Sequence, residues 1–191
     1  MLFKKMLVAV ALCGTFAAHA TTENFYVGAQ YNKTTLKEKD SGYSVSVGFG
    51  NLTALAGYKF NDYFAVEGRI GTGINDKSFS EDGYKESFGV DMQTMLLGKA
   101  SYKLSNEFSV FAVAGYSKTE FEYKETEGSF SYSEKDTING LALGIGGEFR
   151  FANNVAVNVE YLMLPDETFR DDGYSLKIEA NNLSVGVNYY F

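Results

Sequence analysis

The sequence predicts an all-β protein, an eight-stranded antiparallel up-and-down transmembrane β-barrel. Residues 183–191 alternate apolar with small or polar side chains, so Leu183, Val185, Val187, Tyr189 and Phe191 share one face of a strand. Seven earlier segments show the same alternation. After residue 20 no stretch approaches the roughly 18 continuous apolar residues of a spanning helix. Only a closed barrel could then satisfy every backbone group inside a membrane.

The N-terminal residues have the features of a secretory signal. Lys4 and Lys5 precede an apolar run that ends at the small-x-small site Ala18-His19-Ala20. Cys13 raises the alternative of a lipoprotein, but lipidation would need a small residue before the cysteine, and Leu12 stands there. We therefore predict cleavage after Ala20.

Residues 1–20 are thus a predicted signal peptide, and residues 21–191 are a predicted barrel domain. Its first four strands are indicated by apolar residues two positions apart, which we expect to face lipid. These outward residues are Phe25, Val27, Ala29 and Tyr31; Leu52, Ala54, Ala56, Tyr58 and Phe60; Phe64, Val66, Gly68 and Ile70; and Phe88, Val90, Met92, Leu96, Ala100 and Tyr102.

Strands five to eight follow the same rule. Their outward residues are Phe108, Val110, Ala112, Ala114 and Tyr116; Leu141, Leu143, Ile145, Phe149 and Phe151; Val155, Val157, Val159, Tyr161 and Met163; and the alternating residues of the 183–191 segment. Most of these faces begin or end on Phe or Tyr, as expected where aromatic girdles meet the two membrane interfaces. A soluble barrel would instead carry its apolar residues inside.

Short and long connections alternate along the chain, which is the outer-membrane pattern. The tight turns are Asn61-Asp62, Ser105-Asn106 and Ala152-Asn153-Asn154, and the longer charged connections lie near residues 33–43, 75–87, 117–136 and 165–174. One segment does not fit. Val45, Val47 and Phe49 have the opposite parity to Ala54 and Ala56, so we predict a β-bulge at Gly50 or Asn51, with an ordered loop over residues 42–50 as the alternative.

Composition excludes several classes of function. Cleavage after Ala20 removes two lysines, His19 and Cys13, which leaves 15 basic and 24 acidic residues and a net charge of −9. The mature chain would contain no histidine, cysteine or tryptophan, so we expect no disulfide, no imidazole base, no cofactor and no His or Cys metal ligand. An acidic chain without a basic patch also argues against nucleic-acid binding.

The inward positions collect a balanced set of charges. They are Lys59, Glu67, Arg69, Asp91, Lys99, Glu148, Arg150 and Glu160, four basic and four acidic. The interior of an eight-stranded barrel is just wide enough to be filled by side chains. Because unpaired buried charges are costly, we expect these groups to pair and plug the lumen, with Glu67, Arg69, Lys99 and Glu160 at the centre. An ion or proton path is the alternative.

The long connections carry seven of the nine net negative charges. In the third, Phe121 and Tyr123 alternate with charged residues, and Phe130 and Tyr132 follow a predicted turn. This pattern predicts a hairpin that prolongs two strands and presents an aromatic face to a partner, or packs that face against neighbouring loops. The acidic pairs Asp166-Glu167 and Asp171-Asp172 lack the ligand spacing of a calcium loop, so we expect solvated acidic residues there.

Three motifs carry a resemblance to a known family. Phe25-Tyr26-Val27-Gly28-Ala29, the segment from Gly57 to Glu67 and the terminal Tyr189-Tyr190-Phe191 resemble the small eight-stranded outer-membrane β-barrel superfamily of OmpA transmembrane-domain, OmpX and opacity-like porin-family proteins. The resemblance covers residues 21–191. It implies a bacterial outer-membrane location, and it implies that Tyr189 and Phe191 form the signal read by the outer-membrane assembly machinery.

These observations together predict a function. Barrel enzymes of this superfamily resemble one another in using histidine, so we expect no enzyme here. We expect a monomer surrounded by outer-membrane lipid, with a side-chain-plugged lumen and acidic, aromatic-containing extracellular loops for adhesion, other surface interaction or envelope integrity. The alternative is a narrow porin-like channel for ions or small solutes.

Overall fold

The computed structural model describes residues 24–40, 43–81, 84–127, 130–171 and 174–191. The predicted signal peptide, with Cys13, lies outside these residues and stays a prediction. No helix among the described residues is long and apolar enough to cross a membrane.

The described chain forms ten β-strands, two of them short. They are β1 (Phe25–Asp40), β2 (Tyr43–Lys59), β3 (Phe64–Asn75), β4 (Lys77–Glu81), β5 (Tyr84–Lys103), β6 (Phe108–Glu127), β7 (Phe130–Ala152), β8 (Val155–Met163), β9 (Glu167–Asp171) and β10 (Tyr174–Tyr190).

Eight of the described strands form a closed antiparallel ring. Each long strand pairs with the next along the chain, while β4 pairs only with β5 and β9 only with β10. β1 closes the ring on β10, in a register that runs from Tyr26 opposite Tyr190 to Lys39 opposite Lys177. The predicted eight-stranded up-and-down barrel is therefore confirmed.

The outer face is apolar, and the inner face is largely polar at mid-height. On β5, Leu96 is 63% exposed whereas the next residue, Leu97, is fully buried. The same alternation runs along β8, where Val157, Val159 and Tyr161 are exposed and Asn158 and Glu160 are buried. Side chains of a strand point alternately to its two faces, so this sequence pattern fixes which residues fill the lumen.

The two ends of the ring differ. At the end that we call the turn end, three tight turns join the strands, and Asn61 Oδ1 accepts hydrogen bonds from the backbone N–H groups of Tyr63 and Phe64 at 2.8 Å each. At the opposite end, which we call the hairpin end, the predicted long connections are mostly strand. β6 and β7 stay paired as far as Glu127 and Phe130, so the predicted hairpin is present. The tip residues Gly128 and Ser129 lie outside the described part of the chain.

Residues 43–50 belong to β2, so the ordered-loop alternative is wrong. The predicted irregularity is present as a register shift beside Gly50 and Asn51, but β2 pairs with β1 without interruption and the extra residue, Ile74, belongs to β3. Phe49 is 1% exposed and lies on the same inward face as Asn51. The parity of β2 therefore does not flip, contrary to the prediction. Its apolar residues before Gly50 simply lie on the inward face at the hairpin end.

The prediction that Phe88 and Val90 face outward is also wrong. Val90 is 3% exposed and packs inside, with Phe88 against it. The register between β5 and β6 shifts between Val90 and Met92, so Asp91 is an extra residue in β5. One extra residue reverses the faces of everything beyond it. Met92 and Leu96 face outward as predicted.

Candidate functional site

A buried arginine between two glutamates lies at the centre of the lumen. The Arg69 guanidinium donates through Nε to Glu67 at 2.9 Å and through Nη2 to Glu160 at 2.8 Å. The Tyr26 hydroxyl donates to Glu67 at 2.6 Å. The two glutamate side chains have no exposed surface. The planar fork of arginine suits such paired carboxylate contacts, which hold β3 against the distant β8.

A second cluster lies next to the first. Lys99 Nζ is 3.2 Å from Glu67 and 3.6 Å from Glu148, and it lies 4.2 Å from the centre of the Phe111 ring. Glu148 also accepts hydrogen bonds from the Tyr190 hydroxyl at 2.6 Å and from Asn188 at 3.0 Å. Lys99 thus joins both clusters into one network.

The other predicted lumen charges lie toward the ends of the barrel. Arg150 and Lys59 are half-buried near the turn end, with their charged groups 4.4 Å and 5.6 Å from the centre of the Tyr190 ring. Asp91 lies at the bulge of β5, and its carboxylate is 2.6 Å from Nζ of the exposed Lys135. The structure therefore brings together Glu67, Arg69, Lys99, Glu148 and Glu160, and it places Asp91 in a different, partly exposed ion pair.

A chain of amide and hydroxyl side chains crosses the lumen on its hairpin side. Asn51 donates to Thr34, and Thr34 donates to Asn182 at 2.6 Å. Asn182 donates to Gln93 at 3.0 Å, and Gln93 donates to Thr119 at 2.9 Å. All five side chains are buried, and their hydrogen bonds join β2, β1, β10, β5 and β6. The sequence alone did not indicate these partners, because β10 and β5 meet only across the closed ring.

An apolar cap covers the lumen at the hairpin end. Phe49, Val90 and Phe121 are each no more than 3% exposed. Phe88 stacks on Phe121 with ring centres 5.8 Å apart and meets Phe49 edge-on at 5.4 Å. The odd parity of Phe49 in the sequence was the signal for this cap, whereas Val45 and Val47, which share that parity, are 54% and 37% exposed. The lumen is thus filled in layers of ions, amides and rings.

A tyrosine–glutamate cluster lies above the cap, where β5 and β6 extend beyond the ring. Both the Tyr84 and Tyr123 hydroxyls donate to Glu86 Oε1 at 2.7 Å. These hydrogen bonds favour the charged carboxylate, so they hold the pKa of Glu86 below its ordinary value. Glu86 in turn raises the pKa of Tyr84 and of Tyr123.

The four aromatic residues predicted to contact a partner divide into two pairs. Phe121 is buried in the cap and Tyr123 is half-buried, so this pair packs within the protein. Phe130 and Tyr132 on β7 are 65% and 46% exposed. Internal packing therefore describes β6, and partner contact stays a prediction for Phe130 and Tyr132 on β7.

The C-terminal aromatic residues lie at the turn end, beside the first strand. Tyr189 is 45% exposed on the outer face, and its ring meets that of Phe191 edge-on at 5.2 Å. The Phe191 N–H donates to the Phe25 carbonyl at 3.1 Å. Their role as an assembly signal stays a prediction.

Metal binding has no candidate site in the part of the chain that the structure describes, where no three carboxylate, histidine or cysteine side chains are grouped to hold an ion. Of the acidic residues considered for a cation, Asp172 lies outside the described residues, as do the side chains of Glu167 and Asp171.

A closed ring of antiparallel strands with an apolar exterior and a filled interior defines a membrane barrel, because closure pairs every strand edge. Residues 6–191 match the model of the outer membrane protein beta-barrel domain. The chain belongs to this family. The virulence membrane protein PagC of Salmonella typhimurium is 25% identical over 179 residues, which cover 91% of this chain and 89% of PagC.

Solved structures show the same fold. Ail, the attachment invasion locus protein of Yersinia pestis, is 16% identical with a TM-score of 0.53, and the match covers 87% of this chain and 99% of Ail. OprG of Pseudomonas aeruginosa is 15% identical with a TM-score of 0.56 over 88% of this chain and 96% of OprG. Neisserial surface protein A is 17% identical with a TM-score of 0.54, and the match covers 87% and 97% of the two chains.

Family and fold locate the protein in the bacterial outer membrane, as the sequence predicted. Short turns of such barrels face the periplasm and longer connections face outward. The hairpin end, with its apolar cap and its exposed aromatic residues, is therefore extracellular.

Proposed function

We propose that this protein is a non-enzymatic, non-conducting outer-membrane barrel whose extracellular hairpins make contacts at the cell surface. The proposal rests on one contrast. The lumen is filled with buried side chains from Tyr190 at its turn end to Phe121 at its hairpin end, whereas the β7 strand of the hairpin exposes Phe130 and Tyr132. The filled interior supplies rigidity, and the projecting β6–β7 hairpin supplies surface for recognition.

The relatives support a surface role. PagC is named a virulence membrane protein, and Ail was solved with the heparin analogue sucrose octasulfate. The extracellular connections of this chain carry most of its net negative charge. Repulsion between like charges would disfavour a polysulfated ligand here, so we infer that the surface partner differs in charge from that analogue.

The absence of enzymatic activity is part of the proposal. The barrel fold also occurs in the outer membrane protease OmpT of Escherichia coli, which is 9% identical with a TM-score of 0.51. The only histidine of this sequence is His19, in the predicted signal peptide. The glutamates of the lumen are held by Arg69, Lys99 and two tyrosines, so they lack the access to substrate that a catalytic base needs.

Planar-bilayer recording of the purified barrel tests the plugged lumen. We expect no steady conductance, because paired charges and an apolar cap fill the lumen in the part of the chain that the structure describes. Stable single-channel currents from the folded barrel would overturn the proposal and favour the narrow channel. Heat-modifiable gel mobility shows beforehand that the barrel is folded.

A shortened hairpin tests the surface role. Replacing residues 122–135 with a two-residue turn keeps Phe121 opposite Asp136, so the cap stays intact. We expect the full chain to make cells adhere to epithelial monolayers and the shortened variant to lose this adhesion. Equal amounts of folded barrel at the cell surface are the control. Unchanged adhesion, or no adhesion from either form, would contradict a contact role for this hairpin.

A further inference from the structure

Beyond the ring, β5, β6 and β7 form an extracellular sheet with one face turned toward the barrel axis. Residues directly opposite each other on antiparallel strands share a face. The register therefore continues the inward face of the barrel upward, beyond the cap. We call this surface the inner hairpin face; its described residues are Tyr84, Glu86, Phe88, Tyr123, Glu125, Phe130, Tyr132, Glu134 and Asp136.

The inner hairpin face is acidic, whereas the other face of the same strands is internally paired. It carries four carboxylates, and the one basic residue in register with it among the described strands is Lys77, opposite Phe88 at the edge on β4. On the other face, Lys118 contacts Glu120 at 2.6 Å and Lys124 contacts Glu122 at 2.7 Å. Among the described side chains of these strands, the inner hairpin face thus has an excess of negative charge, whereas Glu120 and Glu122 on the other face are paired with lysines.

Two of its carboxylates face each other. Glu86 lies directly opposite Glu125 on the neighbouring strand. Like charges at such positions destabilise a sheet. The hydroxyls of Tyr84 and Tyr123 fix Glu86 in place and favour its ionised form, so the repulsion is retained. A cation placed between these strands would relieve it.

Aromatic rings lie next to the carboxylates on the inner hairpin face. Along β7, Phe130 and Tyr132 precede Glu134 and Asp136 on the same face, at a spacing of roughly 7 Å between successive positions. Lysine and arginine pack their aliphatic stems on apolar rings while the charged group reaches a carboxylate or a ring face. An extended chain with basic residues at every second position would match this spacing.

The inner hairpin face is also accessible from the side. β7 pairs with β8 only from Leu143 onward, and β9 pairs with β10 rather than with β7. In the described strands, residues 130–139 of β7 therefore have β6 as their neighbour on one side and an open edge on the other, and Pro165 lies beside Gly140 where that edge ends. Such an edge admits an extended segment alongside the sheet.

We propose that the inner hairpin face binds an extended, lysine- or arginine-rich polypeptide segment. This inference rests on the proposed surface role and names the chemistry of the partner. Carboxylates of β5 to β7 pair with its basic groups, the rings of Phe130 and Tyr132 cover its side-chain stems, and the open edge of β7 gives it access.

Fluorescence anisotropy with a labelled peptide of alternating lysine and serine tests the proposal, using the full-length barrel in nanodiscs. The variant E125Q/E134Q removes two charges from the inner face. The variant E120Q/E122Q removes the same charge from the other face of the same hairpin and is the matched control. We expect the first to weaken binding about tenfold and the second by less than about twofold, because contact pairs outweigh screened distant charges.

A second pair of variants tests the aromatic contribution without changing charge. F130S/Y132S should weaken peptide binding about fivefold, because the variant loses the cation–π contacts between the two rings and the basic groups of the peptide. S131A/S133A, on the other face, should leave it unchanged. Both pairs should keep the heat-modifiable mobility of the folded barrel.

Three results would overturn the inference. They are equal weakening by the two charge variants, no binding of the lysine peptide to the full chain, and equal binding of a glutamate–serine peptide. None of these bears on whether the barrel conducts or adheres. Failure of the proposed function would instead appear as steady conductance, or as adhesion that survives removal of residues 122–135.

Discussion

Tyrosine hydroxyls donate to glutamates both in the lumen and at the extracellular end, but the two regions treat the resulting negative charge differently. In the lumen, Tyr26 and Tyr190 contact Glu67 and Glu148, and Lys99 lies within 3.6 Å of both carboxylates. On the hairpins, Tyr84 and Tyr123 contact Glu86, whose cross-strand neighbour is another glutamate.

This difference separates a structural site from the proposed recognition surface. Buried charges must be matched within the protein, since an uncompensated buried ion costs several kcal/mol. Water and salt screen exposed charges, so a sheet can keep an excess of one sign there and use it to attract a partner. The same Tyr–Glu hydrogen bond stabilises the fold in the lumen and fixes the position of a carboxylate at the hairpin end.

Removing the central arginine should have the largest effect. R69M leaves Glu67 and Glu160 buried without their guanidinium, and we expect a loss of about 3–5 kcal/mol in unfolding free energy. Urea unfolding in lipid vesicles measures it. K103M breaks the Lys103–Asp62 pair at 3.0 Å, whose side chains are 60% and 64% exposed, and should cost at most about 1 kcal/mol. Similar losses in both variants would remove the distinction between buried and exposed pairs.

Deleting one hydroxyl from each region compares the same contact in two environments. Y190F removes the donor to Glu148, and we expect a loss of about 1.5–3 kcal/mol, typical of a buried hydrogen bond to a charged group. Y84F removes a donor to Glu86, where water can replace it, and should leave the unfolding curve unchanged. The same urea titration measures both. An unchanged unfolding free energy in Y190F would show that Lys99 and Asn188 alone hold Glu148.

A methyl group beside Tyr26 tests how tightly the lumen is packed. A Cβ at Gly57 would lie 2.2–2.5 Å from ring atoms of Tyr26, so G57A must displace the ring that reaches Glu67 and should cost about 1–3 kcal/mol. A Cβ at Gly68 would meet nothing within 4 Å, so G68A should change stability by less than about 0.5 kcal/mol. Equal unfolding midpoints for the two variants would contradict a close-packed interior.

The smallest effect concerns protonation at the hairpin end. The pKa values of Tyr84 and Tyr123 are raised, so their hydrogen bonds to Glu86 stabilise the hairpins at any pH below the ordinary tyrosine pKa of about 10. This stabilisation is lost as the pH rises through the raised pKa values. At acid pH the bonds are lost as pH falls through the lowered pKa of Glu86. E86Q should shift part of the phenolate absorbance change to lower pH. An unchanged titration curve would argue against these contacts in solution.

The sequence predicted the ring of strands because lipid outside and a narrow lumen inside impose one alternation on every segment. It predicted the central charges for the same reason: Glu67, Arg69, Lys99 and Glu160 fall on inward positions. That rule fails beyond the bilayer, where Phe49 and Phe121 turn inward to cap the lumen. The bulge lies between Val90 and Met92, where the sequence has no glycine or proline, so the reversed faces of Phe88 and Val90 could not be predicted.

The partners across the lumen could not be predicted in the same way. Asn182 meets Gln93 and Arg69 meets Glu160 only because strands on opposite sides of the ring stand at particular heights. These heights depend on the shear of the closed barrel, which no local pattern records. Residue types were therefore predictable, while their pairing required the structure.

The pairing of β1 with β10 has a consequence for how the barrel forms. Tyr26 meets Tyr190, and Thr34 bonds Asn182 across this seam, so it joins residues that are very distant along the chain. Contacts of such high sequence separation are slow to form because the loop-closure entropy is lost before they are gained. Until the seam closes, both strands expose an unpaired edge in an environment that cannot solvate it. Insertion and closure are therefore coupled, and a partly assembled barrel is a target for aggregation or proteolysis.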